Sequence, residues 1–170
     1  MIGDFMKYFA YGSNMSILRL QARVPSARRL GLCTLSAHQL RFHKEGKDGS
    51  SKCDAYHTNN TNDVVMGSLF EIDENEKATL DQAEGLGYGY NIKTVILTNN
   101  AGEQVTAFTY YAIATNSVLL PYSWYVNHVV IGALEVNVPI HYLKVIQAIK
   151  YTEDPDSKRD ALERWIYPRE

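Results

Sequence analysis

The sequence predicts an α+β fold with a mostly antiparallel sheet, on three observations. Segments rich in β-branched and aromatic residues are joined by turn clusters short enough for hairpins, most plainly "YNIKTVILT", "NNAG", "EQVTAFTYYA". Segments of helical length and apolar content stand before, between and after those strands. The chain has 170 residues, 45% of them hydrophobic, enough for one apolar core and too few for two comfortable ones. No internal repeat, low-complexity tract or linker divides it, so residues 1–170 read as a single domain, with 150–170 as a C-terminal extension.

Each element has its own justification. "KYFAYG" reads as a strand, and "NMSILRLQAR" carries Met15, Leu18 and Ala22 at helical spacing, with Ser13 or Asn14 as the expected cap. "ARRLGL" and "SAHQLRFH" read as β segments, followed by a polar loop, "KEGKDGSSK", with nothing to bury. "CDAYHT" and "VVMGSLFEI" are strands separated by the turn cluster "NNTND". "DENEKATLDQAEG" opens on a capping Asp with acidic residues in its first turn, and Gly85 is its natural stop. The two β segments around "NNAG" should pair antiparallel. "SWYVNHVVIGALEV" and "PIHYLKVIQAI" are helices, Pro139 opening the second. Asp154-Pro155 resembles a cap and first-turn proline leading into "SKRDALERWI", whose Leu162, Trp165 and Ile166 form one apolar face expected to dock on the body.

Composition excludes several functions. Seventeen basic against nineteen acidic residues give a formal charge of −2, so no global field gathers nucleic acid or anionic lipid, and any partner must be recognised locally. The trio Arg23, Arg28 and Arg29 reads as a solvated face. Cys33 and Cys53 belong to no CxxC or Cys/His cluster and read as free thiols. No secretory signal or membrane-length apolar run is present, so cytoplasmic residence is the default expectation. His38 and His43 face opposite ways on a strand, while His128 and His141 lie on helices without an HExxH partner, so metal catalysis is disfavoured.

Two motifs carry chemistry. In "FAYGSNM" a strand breaks into Gly-Ser-Asn before a helix, which leaves backbone N–H groups free at the helix's positive end, a ready cradle for an anion. By itself such a turn is more often a capped strand-to-helix junction. Its candidate chemical partner is Glu84 in "LDQAEGLGYGY", at a helix end and among small and aromatic neighbours, both of which penalise the ionised carboxylate and favour a stronger base; taken alone, an acid before a C-cap glycine is more often a solvated residue. Ser13 lacks the second glycine of G-x-S-x-G and any tied His or Asp, so a serine triad has little support.

"YFAYGSNM", "RVPSA", "VVMGSLFEID", "LDQAEGLGYGY" and "PYSWYVNHVVIGALE" stand in the order and spacing of the γ-glutamylcyclotransferase (AIG2-like) family, which the chain resembles from about Lys7 to Ile149. The resemblance implies a small mixed, mostly antiparallel β-barrel flanked by helices. It implies a loop, Tyr11, Gly12, Ser13 and Asn14, that holds a glutamyl group, a catalytic glutamate matched by Glu84, and pocket tyrosines matched by Tyr90, Tyr110 and Tyr125. The implied reaction is cyclisation of a γ-glutamyl amide to 5-oxoproline with release of an amine, an amine-releasing lyase or acyltransferase chemistry that needs no metal and no cofactor. The partner is then a small-molecule γ-glutamyl substrate, with no nucleic acid and no membrane, and a homodimer is left open. The rival reading is a non-catalytic binding module on the same fold; an unpaired base in the pocket argues against it. The leaving group is undecided among amino acids, amines and acyl side chains.

Overall fold

The structure, a computed structural model describing residues 3–169, closes five strands into a barrel. In chain order the strands are β1 (Phe5–Ala10), β2 (Arg28–Ser36), β3 (His38–Glu45), β4 (Ser51–His57), β5 (Val64–Asp73), β6 (Tyr90–Asn99) and β7 (Gln104–Ala112). The helices are α1 (Ile17–Arg23), α2 (Lys77–Glu84), α3 (Ser123–Glu135), α4 (Ile140–Gln147) and α5 (Ser157–Trp165). Around the barrel the order is β1-β5-β2-β6-β7, with β3 and β4 forming a separate hairpin. Its neighbours pair antiparallel except at the closure, where β1 meets β7 in parallel at Tyr8 and Phe108. The expected α+β class and mixed, mostly antiparallel barrel are therefore what the chain adopts.

Alternation explains the interior. Phe9, Phe70, Ile72, Val65 and Leu97 are fully or nearly fully buried inside the barrel region, and each lies on a strand whose other face carries more polar residues. β6 and β7 pair over nine positions from Tyr90–Ala112 to Thr98–Gln104, the hairpin the "NNAG" turn predicts, with Gly102 at φ 79°. α2 ends where Gly85 takes a left-handed φ of 72° and closes the helix by donating its N–H to the carbonyl of Gln82.

Three local expectations are corrected. A 3₁₀ turn, Ser13–Met15, intervenes before α1, so the cap is Ser16 rather than Ser13 or Asn14, its hydroxyl accepting from the Arg19 amide at 3.4 Å. The turn also resets the helical phase: Leu20 is buried, while Leu18 and Ala22 face outward. α5 is capped by Asp156, which accepts from the Lys158 and Arg159 amides, not by Asp154.

The docking of α5 is polar. Leu162 and Trp165 stay exposed, and the segment is held by Glu163, which accepts from buried His128 Nε2 at 2.9 Å, and by Tyr167, whose hydroxyl bridges His128 Nδ1 at 2.5 Å and Ser16 Oγ at 2.9 Å. Asp154 is instead a buried anchor: its carboxylate takes both Nε and Nη2 of Arg159 at 2.6 Å and Trp124 Nε1 at 2.8 Å. Among the described residues no helix is long and apolar enough to cross a membrane, and no group of three His, Cys, Asp or Glu is placed to hold a metal ion.

Candidate active site

One cleft collects every residue that the sequence singled out. It is lined by Tyr8, Tyr11, Gly12, Ser13, Asn14, Cys53, Glu84, Tyr90, Tyr110 and Tyr125 and encloses about 290 Å³, its mouth included. The contributing elements are remote in sequence: the turn after β1, strand β4, the C-terminus of α2, the β6–β7 hairpin and the first turn of α3.

Gly12 is required by close approach. A Cβ built on it would lie 2.9 Å from Cys53 Cβ, closer than real Cβ atoms come, and 3.3 Å from the Tyr125 hydroxyl, a tight contact. The turn uses the Gly12 and Ser13 carbonyls to accept from Met15 and Ser16. Among the described residues, the amides of Gly12, Ser13 and Asn14 donate to no protein group.

Glu84 is held by several elements at once. Leu80 is fully buried beneath α2, and Asp81, one turn before Glu84, accepts from the Tyr110 hydroxyl at 2.6 Å, tying the helix to β7. The carboxylate itself is mostly buried, 14% exposed, and asymmetric. Oε1 accepts from Asn14 Nδ2 at 2.8 Å and from Arg23 Nη1 at 2.9 Å, whereas among the described residues no donor reaches Oε2. The place of Arg23 corrects two sequence readings: its guanidinium reaches the site acid rather than solvent, and Glu84 is therefore a paired carboxylate, not the unpaired base the sequence suggested. Arg29 is likewise engaged, with Glu135 and the Met15 carbonyl, and only Arg28 stands on an exposed face, beside Glu71.

The tyrosines divide into two groups. Tyr11 donates to the Tyr110 carbonyl at 2.6 Å, Tyr90 to the Cys53 carbonyl at 2.5 Å and Tyr110 to Asp81, so their protons are engaged and their rings form walls. Tyr8 accepts from Asn14 at 3.1 Å and donates to no protein group among the described residues, while Tyr125 accepts from the Cys53 amide at 2.9 Å and lies against the Cys53 thiol. Burial pushes all five phenols above their ordinary range, and they are neutral donors at physiological pH. Sequence reasoning missed Tyr8, although it lies in the same quoted motif, and Cys53, which no local signal marks. The Cys53 thiol is pushed up to about 12 by burial, and its role is geometric: its peptide fixes Tyr90 and Tyr125.

Comparison with known proteins supports the resemblance. Residues 64–146 match the model of the AIG2-like family, a span that includes Glu84 and three of the cleft tyrosines. The chain is 29% identical over 148 residues to human γ-glutamylcyclotransferase, covering 84% of this chain and 78% of that protein, and 28% identical over 152 residues to the bovine protein of that name, covering 87% and 80%. These matches make the chain similar to the γ-glutamylcyclotransferase (AIG2-like) family. A solved structure titled γ-glutamyl cyclotransferase superposes with a TM-score of 0.84 at 22% identity, covering 95% of this chain and 99% of that one, which shows the family fold.

Proposed function

We propose that this protein cyclises γ-glutamyl amides, releasing 5-oxoproline and a free amine, with Glu84 as the acid/base. The relatives' name supports the reaction class. The single observation that carries the residue assignment is the asymmetry of Glu84: one oxygen is clamped by Asn14 and Arg23 and the other is open to a ligand's proton, in the same cleft as three unengaged backbone amides.

The substrate brings its own nucleophile. Its α-ammonium gives a proton to Glu84 Oε2, and the freed amine attacks the γ-carbonyl carbon, forming the C–N bond of a five-membered lactam. Glu84 passes that proton to the departing nitrogen, takes the second proton from the ring nitrogen, and delivers it as the C–N bond to the attached amine breaks, leaving a neutral lactam and a protonated amine. Water is not consumed. The amides of Gly12, Ser13 and Asn14 grip the α-carboxylate or steady the oxyanion, with N–H groups that cannot ionise or drift. Holding the flexible glutamyl chain folded for ring closure contributes on the order of several kcal/mol of proximity.

The test is a panel of γ-glutamyl compounds incubated with the protein in ¹⁸O-water and followed by mass spectrometry. Cyclisation gives 5-oxoproline free of ¹⁸O. Labelled glutamate indicates hydrolysis instead, and saturable binding with no product indicates a binding module.

A further inference from the structure

His128 is fully buried on α3, and both of its ring nitrogens are engaged from the C-terminal segment: Nε2 meets Glu163 Oε2 at 2.9 Å and Nδ1 meets the Tyr167 hydroxyl at 2.5 Å. A buried polar side chain needs partners, and these two residues supply them. α5 buries none of its own residues, so polar contacts of this kind are what hold it in place. They continue into the turn that lines the cleft.

The route runs through Arg19. The Glu163 oxygen that meets His128 also accepts from Arg19 Nη1 at 2.6 Å, and Arg19 Nε donates to Ser13 Oγ at 3.0 Å. Among the described residues no other carboxylate lies within 4.0 Å of Arg19. Its guanidinium is mostly buried and shares α1 with Arg23, which grips Glu84. Burial, and then the like charge of Arg23, lower the Arg19 pKa, while Glu163 opposes the shift. Without Glu163 the guanidinium would be an uncompensated buried charge beside a second one, and turning away from Ser13 toward water would relieve it. With Glu163 in place, Arg19 occupies a lone pair of the Ser13 hydroxyl, which donates to no protein group among the described residues. A second tie, from the Tyr167 hydroxyl to Ser16 Oγ at 2.9 Å, holds the far end of the same turn. α3 packs beneath that turn so closely that a Cβ on Gly132 would lie 2.3 Å from Met15 Cβ.

We propose that Glu163, acting through Arg19, is a positioning residue for the substrate loop, which makes the C-terminal segment part of the site. For what the loop holds, this inference rests on the cyclotransferase reading above. Glu163 touches no reacting atom: its carboxylate fixes Arg19, Arg19 fixes the Ser13 hydroxyl, and Ser13 lines the cleft beside Gly12 and Asn14. The loop's grip on the glutamyl group is made before ring closure as well as during it, so its loss falls on KM more than on kcat.

The test measures KM and kcat for 5-oxoproline release in wild type, Glu163→Ala, Ser13→Ala and the double variant, on the panel compound turned over fastest, with γ-glutamyl-alanine tried first. Each single variant is expected to raise KM about tenfold with kcat within about threefold, and the double variant to raise KM little further, because both changes break one chain of contacts. An unchanged KM in Glu163→Ala overturns the proposal. So do losses that multiply in the double variant, which is what a role in stability alone gives. Where Glu163→Ala does not fold, Glu163→Gln keeps an acceptor for His128 and carries the same comparison. Wild-type protein that releases 5-oxoproline from no panel compound sinks the cyclotransferase reading instead. The same cycle is then read from the Kd of γ-glutamyl-alanine by calorimetry, and absence of binding overturns both.

Discussion

Asn14 and Glu84, 70 residues apart in sequence, are joined by a 2.8 Å hydrogen bond from Nδ2 to Oε1. The same amide nitrogen also donates to the Tyr8 hydroxyl at 3.1 Å, so one side chain in the substrate loop fixes both the acid and a phenol of the opposite wall. Arg23 adds a 2.9 Å contact to that same carboxylate oxygen. The geometry of the proposed base is therefore set in part by the loop proposed to hold the substrate, through Asn14.

Asn14→Leu keeps the approximate volume and removes three hydrogen bonds, those to Glu84 and Tyr8 and the one its Oδ1 accepts from Arg23 at 3.3 Å. Glu84 then loses one of its two clamps, and kcat is expected to fall about 10- to 100-fold with a smaller change in KM, because orientation matters most in the transition state. Steady-state kinetics on a γ-glutamyl substrate checks this. A variant with unaltered kcat removes Asn14 from the positioning role.

Gly12→Ala places a methyl group against Cys53 Cβ and the Tyr125 hydroxyl. We expect kcat/KM to fall about tenfold or more while the protein stays folded, since the obstruction lies at the cleft rather than in the barrel. Cys53→Gly in the same chain removes the obstructing Cβ and should return part of the loss, a coupling that independent sites do not show. Additive losses in the double variant contradict the close-approach account of Gly12.

Asp154 gives a pH signature. Paired hydrogen bonds from Arg159, followed by those of the Asp156 amide and Trp124, hold its carboxyl well below the usual carboxylate range against the opposing effect of burial. In the unfolded chain it titrates near the ordinary value of about 3.9. The folded state thus binds the proton less readily, so the stability from Asp154 is fully present above that value and is lost as the pH falls below it. The Tm gap between wild type and Asp154→Asn should be widest between about pH 5 and 8 and narrow below about pH 4. A gap independent of pH refutes the ionised anchor.

The elements with strong local signals were legible in the sequence. The β6–β7 hairpin follows from β-branched runs around a glycine-bearing turn, and the end of α2 follows from Gly85. Glu84 and the Tyr11–Asn14 loop were legible as a pair because both motifs are local. Features that depend on tertiary approach were not. Arg23 reads as a surface cation because nothing nearby in sequence reveals that its guanidinium reaches α2. Cys53 enters through β4 of the separate hairpin, and its contribution is a peptide group, which any residue would supply. Around Ser16 the 3₁₀ turn changed the helical phase, since Gly12–Asn14 satisfy the turn by backbone bonds rather than by a cap. In α5, hydrophobicity suggested the wrong face: the His128–Glu163 and Asp154–Arg159 contacts dock the segment, and Leu162 and Trp165 remain outside.

The most direct test of the central claim is 5-oxoproline release by Glu84→Gln, measured beside ligand affinity. The glutamine can still accept from Asn14 and Arg23 through its carbonyl but offers no base, so turnover should drop by about 10²- to 10⁴-fold while affinity for a γ-glutamyl ligand holds within a few-fold. Near-wild-type product formation by that variant contradicts the account.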